Sequence, residues 1–140
     1  MRTIYSKVEP DVLLHVVNKS SEIGSRKDMC PPEQFLQMAC FRLDDGKTFR
    51  PHKHIPKEVE HNITQESWIV VRGSVRAILY DLDNTILEEV DLMQGDCSIT
   101  FHGGHNYLCL EDDTLVYEAK TGPYLGIKND KVFIDREVAQ

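Results

Sequence analysis

The sequence predicts an all-β domain, either a sandwich or a small barrel. Short runs that suit half-buried strands recur from residue 35 onward, and turns rich in Gly and Asp separate them. No helical period lies between these runs, so parallel strands joined by helices are not expected. The eight predicted strands cover residues 35–43, 48–54, 66–72, 74–80, 85–92, 97–101, 105–110 and 114–120.

The segments on either side of this β region set the predicted domain organisation. Pro10 suits the first turn of a helix, and Asp11 would lie near its positive end. Apolar residues from 12 to 17 recur with the spacing i, i+1, i+4 and i+5, which forms one stripe of such a helix. We therefore expect a short N-terminal helical arm over 1–34, a barrel over 35–122 and an irregular C-terminal tail over 123–140.

Length, charge and cysteine usage narrow the class of protein. The chain has 140 residues, the size of one domain, with a net charge of -7. An acidic chain is poorly suited to nucleic acid or to an anionic membrane surface. No signal-peptide core and no long apolar run is present, and the four cysteines form no Cys-x-x-Cys pair. We expect a cytoplasmic protein with reduced cysteines that binds neither nucleic acid nor membranes.

Two closely spaced histidines point to a metal site. His52 and His54 are two residues apart in a predicted strand, so their side chains lie on one face. A carboxylate on a neighbouring strand, Glu66, and a further histidine, His105, could complete the cluster. Imidazole and carboxylate ligands suit one first-row divalent metal, and zinc, iron, manganese, nickel and cobalt all fit.

The spacing of these residues resembles the first motif of the cupin superfamily. That motif is Gly, five residues, His-x-His, a gap, Glu, six residues and Gly. Here it is matched by Gly46, His52, His54, Glu66 and Gly73. The resemblance covers roughly residues 35–122. It implies a double-stranded β-helix, the cupin jelly-roll barrel, with the metal inside its mouth.

The second cupin motif is represented by the run from Gly95 through the turn at 101–104 to His105. A closer resemblance is to WbuC-type cupin metalloproteins, which are found with bacterial surface-polysaccharide genes. It rests on the runs 50–54, 70–73 and 118–124.

The chain departs from the family pattern at two places. Eleven residues separate His54 from Glu66, whereas Glu58 fits the usual short gap. We favour Glu66 as the carboxylate ligand because it begins an apolar strand, while Glu58 lies in a polar loop. The prolines expected just before His105 are missing, which leaves His102 as a possible extra donor at the rim.

Alternation along the strands extends the predicted site. Arg50 shares a face with the two histidines, so we expect it to bind an anionic group of a substrate. Tyr107 shares a face with His105 and is a candidate proton donor. Lys120 shares a face with Glu118 and is a second candidate catalytic residue. His15 has no nameable partner, and we expect an exposed or capping role for it.

These observations predict a metal-dependent enzyme that acts on a small polar molecule. The resemblance implies a sugar or sugar-nucleotide substrate in bacterial surface-polysaccharide synthesis, with isomerisation or epimerisation as one candidate reaction. The alternatives are a non-haem iron dioxygenase and a non-catalytic module that binds a sugar or a metal. We also expect a homodimer, because the strand residues from Trp68 to Val71 are apolar on both faces and need an outer partner.

Overall fold

A computed structural model describes residues 1–56, 58, 60–124 and 126–134 of the chain. Nearly all of their regular structure is antiparallel β-sheet, which confirms the all-β prediction. The strands are β1 (Arg2–Tyr5), β2 (Leu13–Asn18), β3 (Arg26–Asp28), β4 (Ala39–Phe41), β5 (Glu66–Arg72), β6 (Ser74–Tyr80), β7 (Ile86–Met93), β8 (Cys97–Thr100), β9 (His105–Cys109) and β10 (Leu115–Lys120). A 3-10 turn (Ser20–Glu22) and one short helix, α1 (Ile127–Asp130), complete the elements. No helix in these ranges has the length and apolar character needed to cross a membrane.

The strands form two main sheets. The larger has the order β1-β2-β8-β5-β10, and the smaller has the order β7-β6-β9. Strands β3 and β4 make a separate antiparallel pair. Three of the four neighbour pairs in the larger sheet and one of the two in the smaller join strands that are not consecutive in the chain, so non-local pairing holds the architecture together.

One apolar cluster joins the two main sheets. Val17 and Val70 come from the five-stranded sheet, and they pack with Val75, Leu79 and Leu92 of the three-stranded sheet. All five side chains are buried. The two sheets therefore pack face to face over a common core.

A second cluster covers the opposite face of the five-stranded sheet. Val16 and Ile99 point to this side, and Ile23, Met29 and Cys30 pack on them from the segment that contains β3. The outer cover that this apolar sheet requires is thus provided in part by residues 23–41 of the same chain. The homodimer stays a prediction.

Two cysteines belong to this outer core. Cys30 and Cys97 are buried, whereas Cys109 is exposed. Burial raises the pKa of the Cys97 thiol to about 12. A thiol of this kind behaves as a small apolar side chain rather than as a nucleophile.

The predicted N-terminal helical arm is wrong. The apolar run from residue 12 to 17 forms β2, a strand inside the five-stranded sheet, and β1 pairs with its outer edge. Val16 and Val17 point to opposite faces, and both faces are covered. The sequence of a strand that is buried on both sides is a continuous apolar run. Over so few residues, such a run cannot be distinguished from the apolar stripe of a helix.

The two strands predicted between residues 35 and 54 are largely wrong. The first is reduced to Ala39–Phe41, and residues 48–54 form no strand. Residues 50–54 are exposed, and no neighbouring strand of the described chain pairs with them. Alternation in a sequence produces a strand only when another strand supplies its hydrogen bonds.

His15 on β2 is fully buried, so the expectation of an exposed or capping role was wrong. Its Nε2 lies 3.0 Å from the carbonyl oxygen of Tyr80, and its Nδ1 lies 3.0 Å from Oγ1 of Thr100. Because a carbonyl only accepts, Nε2 carries the proton and Nδ1 accepts from the hydroxyl. Burial lowers the pKa of His15 to about 4. The imidazole is therefore neutral and joins both sheets.

This burial predicts a pH dependence of stability. Between the ordinary pKa of 6.5 and the folded pKa of about 4, the unfolded chain binds a proton that the folded chain does not. The free energy of unfolding should therefore fall as pH drops through this window, by at most roughly 3 kcal/mol. Denaturant unfolding from pH 7 to 4 measures it. The free energy of unfolding should depend less on pH over that range in His15→Gln. In His61→Gln, a substitution at an exposed position, it should keep the wild-type slope. Equal slopes in wild type and His15→Gln would contradict the assignment.

Candidate functional site

A cavity of about 580 Å³ opens where the space between the two sheets becomes polar. Its wall includes Glu66 and Trp68 from β5, Thr100 from β8, and His105 and Tyr107 from β9. Both main sheets thus contribute to the candidate site.

Strand register explains why these side chains converge. Glu66 lies opposite Thr100, and residues directly opposite on antiparallel strands share a face. His105 lies opposite Leu79, which is buried in the core between the sheets. Period two then places Trp68 and Tyr107 on the same inner faces, one step closer to the apolar core. Alternation correctly predicted that Tyr107 shares a face with His105, whereas Glu66 and His105 were selected by motif spacing.

Glu66 and His105 are in direct contact across the two sheets. Nε2 of His105 lies 3.0 Å from Oε1 of Glu66, and Nε1 of Trp68 donates to the same oxygen at 3.0 Å. Glu66 is only 7% exposed, so its carboxylate is held almost entirely by protein. Within the described ranges no hydrogen bond engages Oε2, which is left for a ligand.

The environment keeps Glu66 ionised. Burial alone would raise the pKa of this carboxyl. The hydrogen bond and charge of His105, the Trp68 N–H and the nearby Lys120 outweigh burial and hold the pKa below its usual range. The carboxylate therefore accepts hydrogen bonds at neutral pH and attracts cations.

His105 has one nitrogen without a partner. When the imidazole is neutral, Nε2–H donates to Glu66, so Nδ1 carries the lone pair. Nδ1 is buried and has no hydrogen bond to any described residue. A buried polar atom left unpaired is uncommon, and such atoms concentrate at functional sites.

Tyr107 forms an aromatic wall of the cavity. Its ring stacks on Trp68 with centroids 4.0 Å apart and planes 6° apart, and its hydroxyl lies 2.8 Å from Oγ of Ser98. Burial raises the pKa of Tyr107 above its ordinary value. A hydroxyl that is already hydrogen-bonded and has a raised pKa is suited to positioning a ligand. The proton-donor role predicted for Tyr107 stays a prediction.

Lys120 lies beside the cavity and is engaged by acidic residues. Its Nζ is 3.0 Å from Oδ2 of Asp130 and 3.6 Å from Oε1 of Glu118, and it sits 4.6 Å from the centre of the Tyr124 ring. The hydrogen bond to Asp130 raises the pKa of Lys120 above its usual range. The structure thus places this ammonium in an ion pair rather than in the cavity wall.

The structure does not bring the remaining predicted ligands to this site. His52 and His54 are exposed, with ring centroids 5.3 Å apart, and neither lines the cavity. In the described ranges no three metal-ligating side chains are grouped closely enough to hold an ion. Glu58 is exposed, so Glu66 is the carboxylate placed beside His105. His102 is half-buried in the turn before β9 and does not line the cavity.

The predicted anion anchor is also elsewhere. Arg50 is exposed, and its carbonyl oxygen lies 3.0 Å from Nδ1 of His52. The cavity wall instead contains three carboxylates, Glu66, Glu118 and Asp130, and the exposed Lys131. This wall favours hydroxyl donors or cations over anions.

Of the four predicted metal ligands, the structure brings Glu66 and His105 together as a hydrogen-bonded pair, with Oε1 and Nε2 3.0 Å apart. The two side chains supply half of the predicted set of four.

Sequence reasoning missed two parts of this site. Trp68 could have been found, because it shares the inner face with Glu66 by period two. Residues 130–134, which form one wall of the cavity, carry no periodic signal.

Comparisons with known proteins do not assign the chain to a family. No family model matches the chain, and no solved structure matches it. A stretch of 48 residues is 42% identical to a probable 6-carboxy-5,6,7,8-tetrahydropterin synthase from Halobacterium salinarum. The match covers 32% of this chain and 32% of that protein, too little to show a family.

The Glu66 contacts predict a titration that can be followed optically. Trp68 is the single tryptophan, and its N–H donates to Glu66. Protonation of Glu66 removes the anionic acceptor, and it should occur below the ordinary pKa of 4.5 because the folded pKa is depressed. Trp68 emission should therefore change below pH 4.5, and Glu66→Gln should abolish the change. An inflection that persists in Glu66→Gln would show that another group is responsible.

Proposed function

We propose that the chain is a cupin-type enzyme that binds a small, hydroxyl-rich molecule of the sugar class and moves a proton on it, as an isomerase or epimerase does. The observation that carries this proposal is the Glu66–His105 pair inside a cavity walled by stacked aromatic rings. The antiparallel two-sheet fold is compatible with the cupin jelly roll implied by the sequence motifs.

The cavity wall supports a sugar-like ligand. The free Oε2 of Glu66 and the carboxylate of Glu118 can accept hydrogen bonds from hydroxyl groups. Trp68 and Tyr107 offer apolar surface against which the C–H face of a sugar ring can pack. Arg50 does not line this wall. If the ligand carries a nucleotide or another anionic group, that group would extend beyond the wall, and Arg50 is proposed as its contact there.

The pair can handle a proton as follows. Glu66 is ionised and has one oxygen fixed by His105 and Trp68, so Oε2 can accept a proton from a carbon next to a carbonyl. His105 Nε2–H is donated to Oε1 of Glu66, so it and the Trp68 N–H hold the carboxylate in place for this transfer. Return of the proton from Oε2 to the neighbouring carbon gives isomerisation. Protonation of the original carbon by water from its opposite face, with the proton on Oε2 released to solvent, gives epimerisation.

A metal-dependent form of this site is the second candidate. Glu66 and His105 would hold one divalent metal together with His52 and His54, which are close to each other in the structure. A bound ion would supply Lewis-acid chemistry on a carbonyl, or redox chemistry with oxygen if it is iron. A cytoplasmic role in bacterial surface-polysaccharide synthesis remains part of the proposal on the strength of the sequence resemblance.

Solvent deuterium exchange tests the proton-transfer function. Wild-type protein should incorporate deuterium from D₂O into a responsive member of a panel of reducing sugars and nucleotide sugars, followed by NMR. Glu66→Gln removes the base and should lower the rate by about 10²–10⁴-fold. Glu58→Gln, an exposed control, should exchange at the wild-type rate. Unchanged exchange in Glu66→Gln would exclude the proposed role. Binding without exchange would favour a non-catalytic module, and oxygen uptake a dioxygenase.

Metal analysis tests the second candidate separately. Purified protein should contain about one divalent metal per chain, a stoichiometry expected of a single mononuclear site. Glu66→Gln, His105→Ala and His54→Ala should each lose it, while Glu58→Gln should keep it. Full occupancy in both His54→Ala and His105→Ala would show that the metal is held elsewhere.

A further inference from the structure

One wall of the cavity comes from the C-terminal part of the described chain. Residues 130–134 line it opposite the β-strand residues Glu66, Trp68 and His105. Asp130 ends α1 and residues 131–134 follow it, and none of the five belongs to either sheet. What fixes their position therefore decides whether the cavity is closed on this side.

The first contact that fixes this segment is an ion pair with β10. Lys120 Nζ donates to Oδ2 of Asp130 at 3.0 Å. The two side chains are 19% and 8% exposed, so the pair is largely shielded from solvent. A shielded pair of this kind holds two segments together more strongly than a surface pair.

The second contact lies four residues further on. A Cβ on Gly104 would come within 2.4 Å of Cδ1 of Ile134. Ile134 therefore packs directly on the turn before β9, where the lack of a side chain makes room for it. The segment is held at one end by charge and at the other by close packing.

Between the two contacts, apolar side chains are left uncovered. Val132 is 93% exposed and Phe133 is 74% exposed, although both lie at the cavity wall. Large exposed side chains at the edge of a cavity gain buried area when a ligand fills it.

We propose that residues 130–134 form a strap across the mouth of the cavity, and that Lys120 positions this strap by holding Asp130. Lys120 then controls access to the Glu66–His105 pair without touching the reacting atoms. Gly104 is the second positioning residue, because it admits Ile134. This role does not depend on which reaction or ligand the cavity serves.

Fluorescence quenching tests the strap without a ligand. Lys120→Met removes the charge and retains most of the length, whereas Lys120→Arg conserves the ion pair. Lys120→Met should increase acrylamide quenching of Trp68, the single tryptophan, which faces the same cavity. Lys120→Arg and the exposed control Lys128→Met should resemble wild type.

Gly104→Ala gives an independent test at the other contact. The added methyl group displaces the flexible end of Ile134, so quenching of Trp68 should rise. Protection of the β2 and β6 amides shows whether each variant is folded. Unchanged Trp68 quenching in folded Lys120→Met and Gly104→Ala would overturn the proposal, because the segment would then not cover the cavity.

Discussion

The structure depends on hydrogen bonds that join the two sheets at the polar end of their interface. Apolar side chains fill the rest of the space between the sheets. At the polar end the sheets are joined by His15 to the Tyr80 carbonyl, by Ser98 to Tyr107 and by Glu66 to His105. Each bond satisfies groups that would be costly to bury alone. The cavity exists because polar side chains replace apolar packing there.

This arrangement gives the core histidine and the site histidine different roles. His15 is bonded at both nitrogens and fully buried, so it acts as a structural link. His105 is bonded at one nitrogen and lines the cavity. Histidine thus has a structural role at position 15 and a candidate chemical role at position 105. The number of hydrogen-bonded ring nitrogens distinguishes the two roles.

Motif spacing selected Glu66 and His105, and period two correctly placed Tyr107 on the face of His105, because their strand packs on the core. The same rule was wrong for His52, His54 and Arg50, since residues 48–54 form no strand and alternation has no meaning without a pairing partner. β2 was misread because burial on both faces removes the period that distinguishes a strand. The wall at residues 130–134 depends on an ion pair with Lys120 and on packing against Gly104, and no local pattern encodes such long-range contacts.

The central claim is that Glu66 and His105 interact directly across the two sheets and form a site that is assembled before any ligand binds. A double-mutant cycle on the free energy of unfolding tests it most directly, using Glu66→Gln, His105→Gln and the double variant at neutral pH. Residues in hydrogen-bond contact should show a coupling energy of about 0.5–3 kcal/mol. Strictly additive effects of the two substitutions would contradict the account, because the two side chains would then not interact in the folded protein.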